Sequence, residues 1–435
     1  MARRKSTPLR HALSRLCSKP MLERLARTEG LVRRRRCLDP VAFFWVVVLT
    51  LGTGGTRTLA DLRRAYARVT GDSLAASSFY ARFSPALAGF LKQVLSGALD
   101  RLASSKRSAR VLVGEIREIL CVDSTVIRLH DALERVFPAC RTNHTLAAAK
   151  LHAVCNVRGC GPRSVKITAE RVHDGPVLRA GRWVKGRLLL FDLGYCRYQL
   201  FDAIGRHQGY FLTRLKDSAN PTIRGLNQPV RGRSVDVTGV RLQECKSRLK
   251  REVFDAQAEL SFRRRPYRGK SHAGRLLVRI VGLRDDVHGG YHWYVTNLSA
   301  DQLPAPDVAK IYAARWTIEL MFRELKRGYH LESMPSSKPH IVEALLYAAV
   351  LTLLASRTLL VAACRWAHLP LARVPIERWA RLFVSATADL LAIVLDPAVM
   401  ARERERRLLP FLARETPDPN VSRQLLLERA GLCVA

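Results

Sequence analysis

Apolar positions change their period three times along the chain. Between Pro40 and about Leu102 they fall at helical spacing. Thr58–Val69 places Leu59, Leu62, Tyr66 and Val69 on one face, Thr70-Gly71-Asp72-Ser73 then breaks the helix, and Ser77–Phe83 starts another. After Arg110 β-branched residues gather, and Val111–Arg128, Lys150–Val157 and Ser164–Val172 predict strands. A helix is expected around Val177–Val184. The uninterrupted apolar run ending at Asp192, Arg187–Asp192, reads as a strand buried on both faces. Tyr198–His207 reads as a helix, and Tyr210–Leu215, just after Gly209, as another strand. This order predicts an α/β plan around a central mixed sheet.

From Ser218 to Ala300 short β segments dominate, among them Val253–Phe262, Leu276–Leu283 and Tyr291–Leu298, and the stretch reads as a β-rich insertion. Helices return at Ala305 and continue to a mixed-charge tail from Ala401, expected to be poorly ordered. The division predicted is a basic arm and helical, DNA-binding region over 1–105 and the first part of the core over 106–217. The insertion follows over 218–300, the second part of the core over 301–365 and a carboxy-terminal helical region over 366–435. No internal repeat is visible.

Charge narrows the function. The 73 Lys and Arg against 37 Asp and Glu leave a formal +36 over 435 residues, a balance suited to a polyanion and above all to nucleic acid. A membrane surface is the alternative, but the apolar runs Val41–Gly52 and Ala344–Ser356, the latter closed by Glu343 and Arg357, are too short to span. No signal peptide is seen, so the protein reads as soluble and intracellular. Residues 1–37 hold twelve Arg or Lys, ending in Arg33–Arg36, against two acids, and form either a solvated or a phosphate-touching arm. The insertion adds sixteen basic and seven acidic residues, with aromatics interleaved at Phe262–Arg265 and Tyr267–Lys270. The helix, Gly-containing turn and second helix over 58–83 are compatible with a helix-turn-helix reader of DNA, as with any small bundle. Ten cysteines without a Cys-x-x-Cys pair read as reduced core thiols.

Three acids stand out by position. Asp123 lies inside the apolar strand Cys121–Ile127, and Asp192 ends the run Leu188–Phe191. A carboxylate there is costly unless paired or holding a cation, although each alone could cap or turn the chain. Ligands in open α/β sheets collect at the carboxyl ends of strands, which favours a site where two such Asp occur. The third is Glu319, in Ile311–Glu332. Tyr312, Arg315, Glu319 and Lys326 sit at offsets 0, 3, 7 and 14, within about 60° of one another on a helix, with Arg323 beside them. Ile311, Ala314, Ile318, Met321, Phe322 and Leu325 take the opposite face. Two strand Asp and one helix Glu supply three oxygen ligands, suited to a pair of Mg2+ ions, or Mn2+ in their place, in phosphodiester cleavage.

The spacing Tyr312-(2)-Arg315-(3)-Glu319-(6)-Lys326 resembles the Tyr-Arg-Glu-Lys signature of the bacterial insertion-sequence transposases of family four. Asp123-Ser124-Thr125 and Asp192-x-Gly194-Tyr195 resemble that family's two Asp motifs, in the same order, and the likeness covers residues 110–355. It implies a ribonuclease H-like mixed-sheet core with a β-rich insertion, for which the 127 residues between the second Asp and the Glu (319 − 192) leave room. It further implies Asp123, Asp192 and Glu319 as catalytic metal ligands, and Tyr312, Arg315 and Lys326 as DNA-phosphate contacts. Arg214 and Lys216 resemble a further DNA-contacting segment. Trp293 reads either as core packing or, by its place in the chain, as a platform for a base turned out of the duplex. The activity implied is cut-and-paste transposition through a DNA hairpin, by a homodimer on the terminal inverted repeats and target DNA, in the bacterial cytoplasm with the nucleoid. An inactive DNA-binding descendant or a nuclease on the same core are the alternatives.

Overall fold

The computed structural model describes residues 7–32, 38–50, 58–72, 74–104, 116–140, 144–157, 161–227, 237–263, 272–285, 289–332, 334 and 336–417. The strands are β1 (Glu118–Arg128), β2 (Ala148–Asn156), β3 (Pro162–Ala169), β4 (Arg187–Phe191), β5 (Tyr210–Arg214), β6 (Thr222–Leu226), β7 (Val253–Arg263), β8 (Ala273–Arg284) and β9 (Tyr291–Thr296). They form one nine-stranded sheet in the order β3-β2-β1-β4-β5-β9-β8-β7-β6. β2 pairs antiparallel with β1 and β3, whereas β1–β4 and β4–β5 are parallel. The alternation expected of a strand divides β1 and β4 cleanly. Cys121, Leu188 and Leu190 enter the core beneath the helices, and Leu120, Val122, Leu189 and Phe191 enter a second core on the other face.

The insertion does not stand apart. β9 pairs antiparallel with β5 and β8, so β6–β9 extend the central sheet edge to edge. A buried ion pair ties it to the returning chain. Arg279, 1% exposed, donates Nε to Asp255 Oδ1 at 2.8 Å and Nη2 to Oδ2 at 2.5 Å, and its Nη1 reaches the carbonyls of Ser299 (2.9 Å) and Leu303 (2.6 Å).

The amino-terminal and carboxy-terminal helices share one core on one face of the sheet. The 29-residue helix Pro339–Ala367 packs against the helices Pro8–Leu16, Pro40–Thr50, Pro85–Ser104 and Ala398–Glu415. The Leu9 N–H donates to Glu405 Oε1 at 2.5 Å, joining the two ends of the chain. Both helical parts expected to stand outside the core are thus packed on the helix that follows the Glu319 segment. Pro339–Ala367 is also the one helix, among the described residues, long and apolar enough to cross a membrane, and 89% of its apolar window is buried inside the protein.

Several expectations need correction. The helix at Val177–Val184 is absent. One turn, Asp174–Val177, gives way to extended backbone at Leu178 and Gly181 before a short 3-10 turn, Arg182–Val184, because Gly175, Pro176 and Gly181 interrupt the helical ladder. The tail from Ala401 is a helix to Glu415, with Ala401, Glu405, Leu408, Leu409 and Leu412 buried as one stripe. The second helix of the proposed helix-turn-helix spans only Ala76–Tyr80, and Phe79 pins it into a cluster with Phe43, Tyr66 and Phe83. Arg33–Arg36, Val111–Gly114 and Arg264–Lys270 lie outside the described residues.

Candidate active site

β1 and β4 run side by side, and their last paired residues are Val122 and Phe191. Asp123 and Asp192 come next, on neighbouring strands about 4.8 Å apart. By alternation both share the face of Cys121 and Leu190, on which the helix Trp316–Arg323 packs through Ile318, Met321 and Phe322. Asp192 is exposed and opens the 3-10 turn Leu193–Tyr195, whose Tyr195 N–H donates to its carbonyl at 3.0 Å. Burial pushes the Asp123 carboxyl up to about 6. The charges of Asp192 and Glu319 push the same way, against the Ser124 N–H and Arg315.

The signature segment is not one straight helix. Ala305–Ala313 ends in a tight turn at Ala314-Arg315, where Arg315 N donates to Tyr312 O (2.9 Å) and Ile318 N to Arg315 O (3.1 Å), and Trp316–Arg323 begins. The Cys121 thiol donates to the Ala314 carbonyl at 3.4 Å and fixes this turn over β1. Beyond Arg323 the helix widens into a π turn over Glu324–Gly328, with Tyr329 N donating to Glu324 O at 3.0 Å. Its cause is Glu324, buried and paired with Arg357 while accepting from the Tyr329 hydroxyl at 3.0 Å. The Tyr329 hydroxyl also reaches Ser356 Oγ, 2.6 Å away, where Trp379 Nε1 donates at 2.9 Å.

Arg315 is the centre of the site. Its Nη2 lies 2.7 Å from Glu319 Oε1 and its Nη1 3.6 Å from Asp123 Oδ2. Its guanidinium carbon stands 5.7 Å from the centre of the Tyr312 ring, which packs edge-on against Tyr294 at 5.4 Å. Burial pushes the Tyr312 hydroxyl up to about 12. Among the described residues neither that hydroxyl nor Arg315 Nε has a hydrogen-bond partner of normal geometry, although the Arg315 guanidinium beside the hydroxyl opposes the rise. Among the described residues no three His, Cys, Asp or Glu stand close enough to share a metal ion in this conformation, in which the guanidinium lies between carboxylates.

The other expected residues divide. Arg214, exposed at the end of β5, pairs across the sheet with Tyr294, and its Nη2 is 3.2 Å from His292 Nδ1, so it stands beside the Tyr294–Tyr312 pair. Lys216 is exposed two residues on. Arg323 lies over the Trp316 ring at 6.0 Å. Lys326 is not brought to the triad in any described contact: the π turn breaks the 100° arithmetic, and its Nζ pairs with Glu332 at 2.9 Å. Trp293 is 7% exposed, lies against Phe254 (5.6 Å) and covers Gly282, where a Cβ would come within 2.7 Å of the ring. In this conformation the ring is packed in the core, with the Lys246 ammonium 5.4 Å from its centre. The exposed aromatic on the Glu319 helix is Trp316, 42% exposed.

Sequence reasoning missed two supports. Asp174 accepts from the Ser124 hydroxyl at 2.7 Å and lies 3.4 Å from both Lys150 Nζ and His152 Nδ1, bracing β1 beside Asp123. The Glu324–Arg357 pair had a visible signal, since a charge inside an apolar helix demands a buried partner.

Asp123 on β1, Asp192 just past the end of β4 and Glu319 on the helix above them interact electrostatically around Arg315, with the Tyr312 phenol beside it. The family model described as "Transposase DDE domain" matches residues 114–355, and the chain belongs to that family. Over 324 residues it is 27% identical to "Putative transposase y4zB" of Sinorhizobium fredii, covering 73% of this chain and 78% of that one. Over 383 residues it is 22% identical to "Transposase for insertion sequence element IS231F" of Bacillus thuringiensis subsp. israelensis, covering 80% and 78%. Among solved structures, a piggyBac transposase synaptic complex with hairpin DNA aligns with a TM-score of 0.49 at 10% identity, covering 96% of this chain and 87% of that one. The protein is a DDE-type transposase of the insertion-sequence kind.

Proposed function

We propose that this transposase cuts the ends of its element in a Mg2+-dependent reaction, passes through a DNA hairpin and joins the ends to target DNA as a homodimer in the cytoplasm. The observation that carries the reading is the convergence of Asp123 and Glu319 on Arg315, with Asp192 on the adjoining strand end. The order β3-β2-β1-β4-β5, three antiparallel strands followed by two parallel to β1, supports a ribonuclease H-like core.

The donor set fits hard divalent cations, because three carboxylates offer only oxygen, and burial, with a smaller push from Asp192 and Glu319, raises Asp123. Asp123, Asp192 and Glu319 would hold the ions, which when bound activate a water or 3′-hydroxyl and stabilise the leaving oxygen. The chain's own groups do the rest. Arg315 Nε and the Tyr312 hydroxyl, both without a hydrogen-bond partner of normal geometry among the described residues, are buried polar atoms whose desolvation a DNA phosphate would offset. Arg214 continues this strip of donors beside Tyr312. Exposed Lys216 and half-buried Arg323 extend the positive field along the backbone, and Lys326 joins them only after leaving Glu332. The experiment incubates the full chain with end-labelled duplex carrying the element's termini, Mg2+ and a supercoiled target, and resolves the products on a denaturing gel. A nick, a hairpin and a joined product in that order support the reading. Nicks without joining leave a nuclease, and binding without cleavage an inactive descendant.

A further inference from the structure

Arg315 occupies a position that a DNA-phosphate contact alone does not require. Its fork is turned inward, 2.7 Å from Glu319 Oε1 and 3.6 Å from Asp123 Oδ2, while Nε stays unpartnered. The turn that carries it is held on β1 by the Cys121 thiol and closed by tight backbone bonds, which keeps the Arg315 backbone over the strand that bears Asp123. Three carboxylates gathered without a counter-charge would repel one another, and a guanidinium is the side chain whose planar fork satisfies two of them at once.

We infer that Arg315 is the resident counter-cation of the triad: it positions Asp123 and Glu319 before metal arrives and competes with the divalent ion for them. This rests on the reading of the triad as the metal site. An ion drawing on these two carboxylates meets a positive charge already seated between them, so loading requires the guanidinium to turn outward. Its Nε and the neighbouring Tyr312 hydroxyl are buried polar atoms outside the ion pair with the two carboxylates. A side chain that closes the site in most of the population lowers apparent metal affinity by the open fraction. With about one molecule in ten open, the penalty is about tenfold.

The test is Mn2+ binding to the metal-free full chain, read as loss of the free-ion electron paramagnetic resonance signal, for wild type, Arg315→Gln, Arg315→Lys and Glu319→Gln, with circular dichroism on each. The inference expects Arg315→Gln to bind Mn2+ about tenfold more tightly than wild type. Arg315→Lys, which keeps the charge and loses the fork, should fall between them and decides the matter if the glutamine variant does not fold. Glu319→Gln should lose the tight site. Arg315→Gln and Arg315→Lys both equal to or weaker than wild type, while Glu319→Gln loses binding, overturns the counter-cation role and leaves the triad intact. Glu319→Gln binding as well as wild type overturns the triad as the metal site, and the inference with it.

Discussion

Asp255→Ala should destabilise the protein by an amount that the surroundings of Arg279 set. The substitution removes both carboxylate oxygens from a guanidinium 1% exposed, and Asn227 Nδ2, which donates to Asp255 Oδ1 at 2.8 Å, loses its acceptor too. Two charge-assisted bonds at about 1.5–3 kcal/mol each give roughly 3–6 kcal/mol, and breaking buried pairs from one side costs about 3–5 kcal/mol. Unfolding entropy near 2.1 cal/mol/K per residue, applied to this chain, converts that to a fall of roughly 3–5 °C if unfolding is two-state. The measurement is a thermal melt by circular dichroism with the double variant Asp255→Leu/Arg279→Met alongside, which should recover most of the loss because no buried charge is left unpaired. Arg279 also holds the carbonyls of Ser299 and Leu303, just before the helices that bear Tyr312 and Glu319. The single variant should therefore lose cleavage below its melting point as well. A melt unchanged within 1 °C in the single variant would refute the reasoning.

Other outcomes follow from the same contacts. Burial holds His152 down to about 4, against the pull of Asp174. The unfolded chain takes up a proton near pH 6.5 that the fold refuses until about 4, so stability should be full above 6.5 and fall by up to about 3 kcal/mol as pH drops through that window. Melts at pH 7.5 and 5, with His152→Gln flattening the difference, check the sign. Trp293→Ala should cost about 3–5 kcal/mol as a core deletion and slow nicking and hairpin formation alike; a selective hairpin defect at unchanged stability would restore its base-stacking role. DNA binding should weaken with a log–log salt slope of about −0.9 for each phosphate neutralised, as measured by anisotropy, and a flat response would exclude a phosphate-dominated interface.

The parts legible in the sequence were those governed by local pattern. The run Arg187–Asp192 announced β4 because a strand buried on both faces leaves no polar position, and the two Asp motifs stood out as charges where apolar residues belong. What escaped depended on distant partners. The helix expected from Ile311 to Glu332 follows local periodicity, but Glu324 is drawn toward Arg357, thirty-three residues on, and the π turn it induces carries Lys326 off the predicted face. Trp293 had two readings because a strand aromatic has no intrinsic side. The ring's packing on Gly282, its partner across β8 and β9, is a contact no local spacing announces. The tail from Ala401 looked too charged to order, yet its stripe finds Leu9 and the long helix. Likewise, no spacing could have placed Arg315 between Asp123 and Glu319, since that depends on the tight turn at Ala314 and the thiol of Cys121.

The central claim is that Asp123, Asp192 and Glu319 form one metal-dependent site acting on DNA. Its most direct test is paired measurement, on the same preparations, of duplex binding by gel shift and of cleavage with Mg2+ for Asp123→Ala, Asp192→Ala and Glu319→Ala. The account predicts retained binding and a loss of cleavage to background in all three, because removing any one carboxylate dismantles the shared ligand set. Cleavage persisting in any one of them would contradict it.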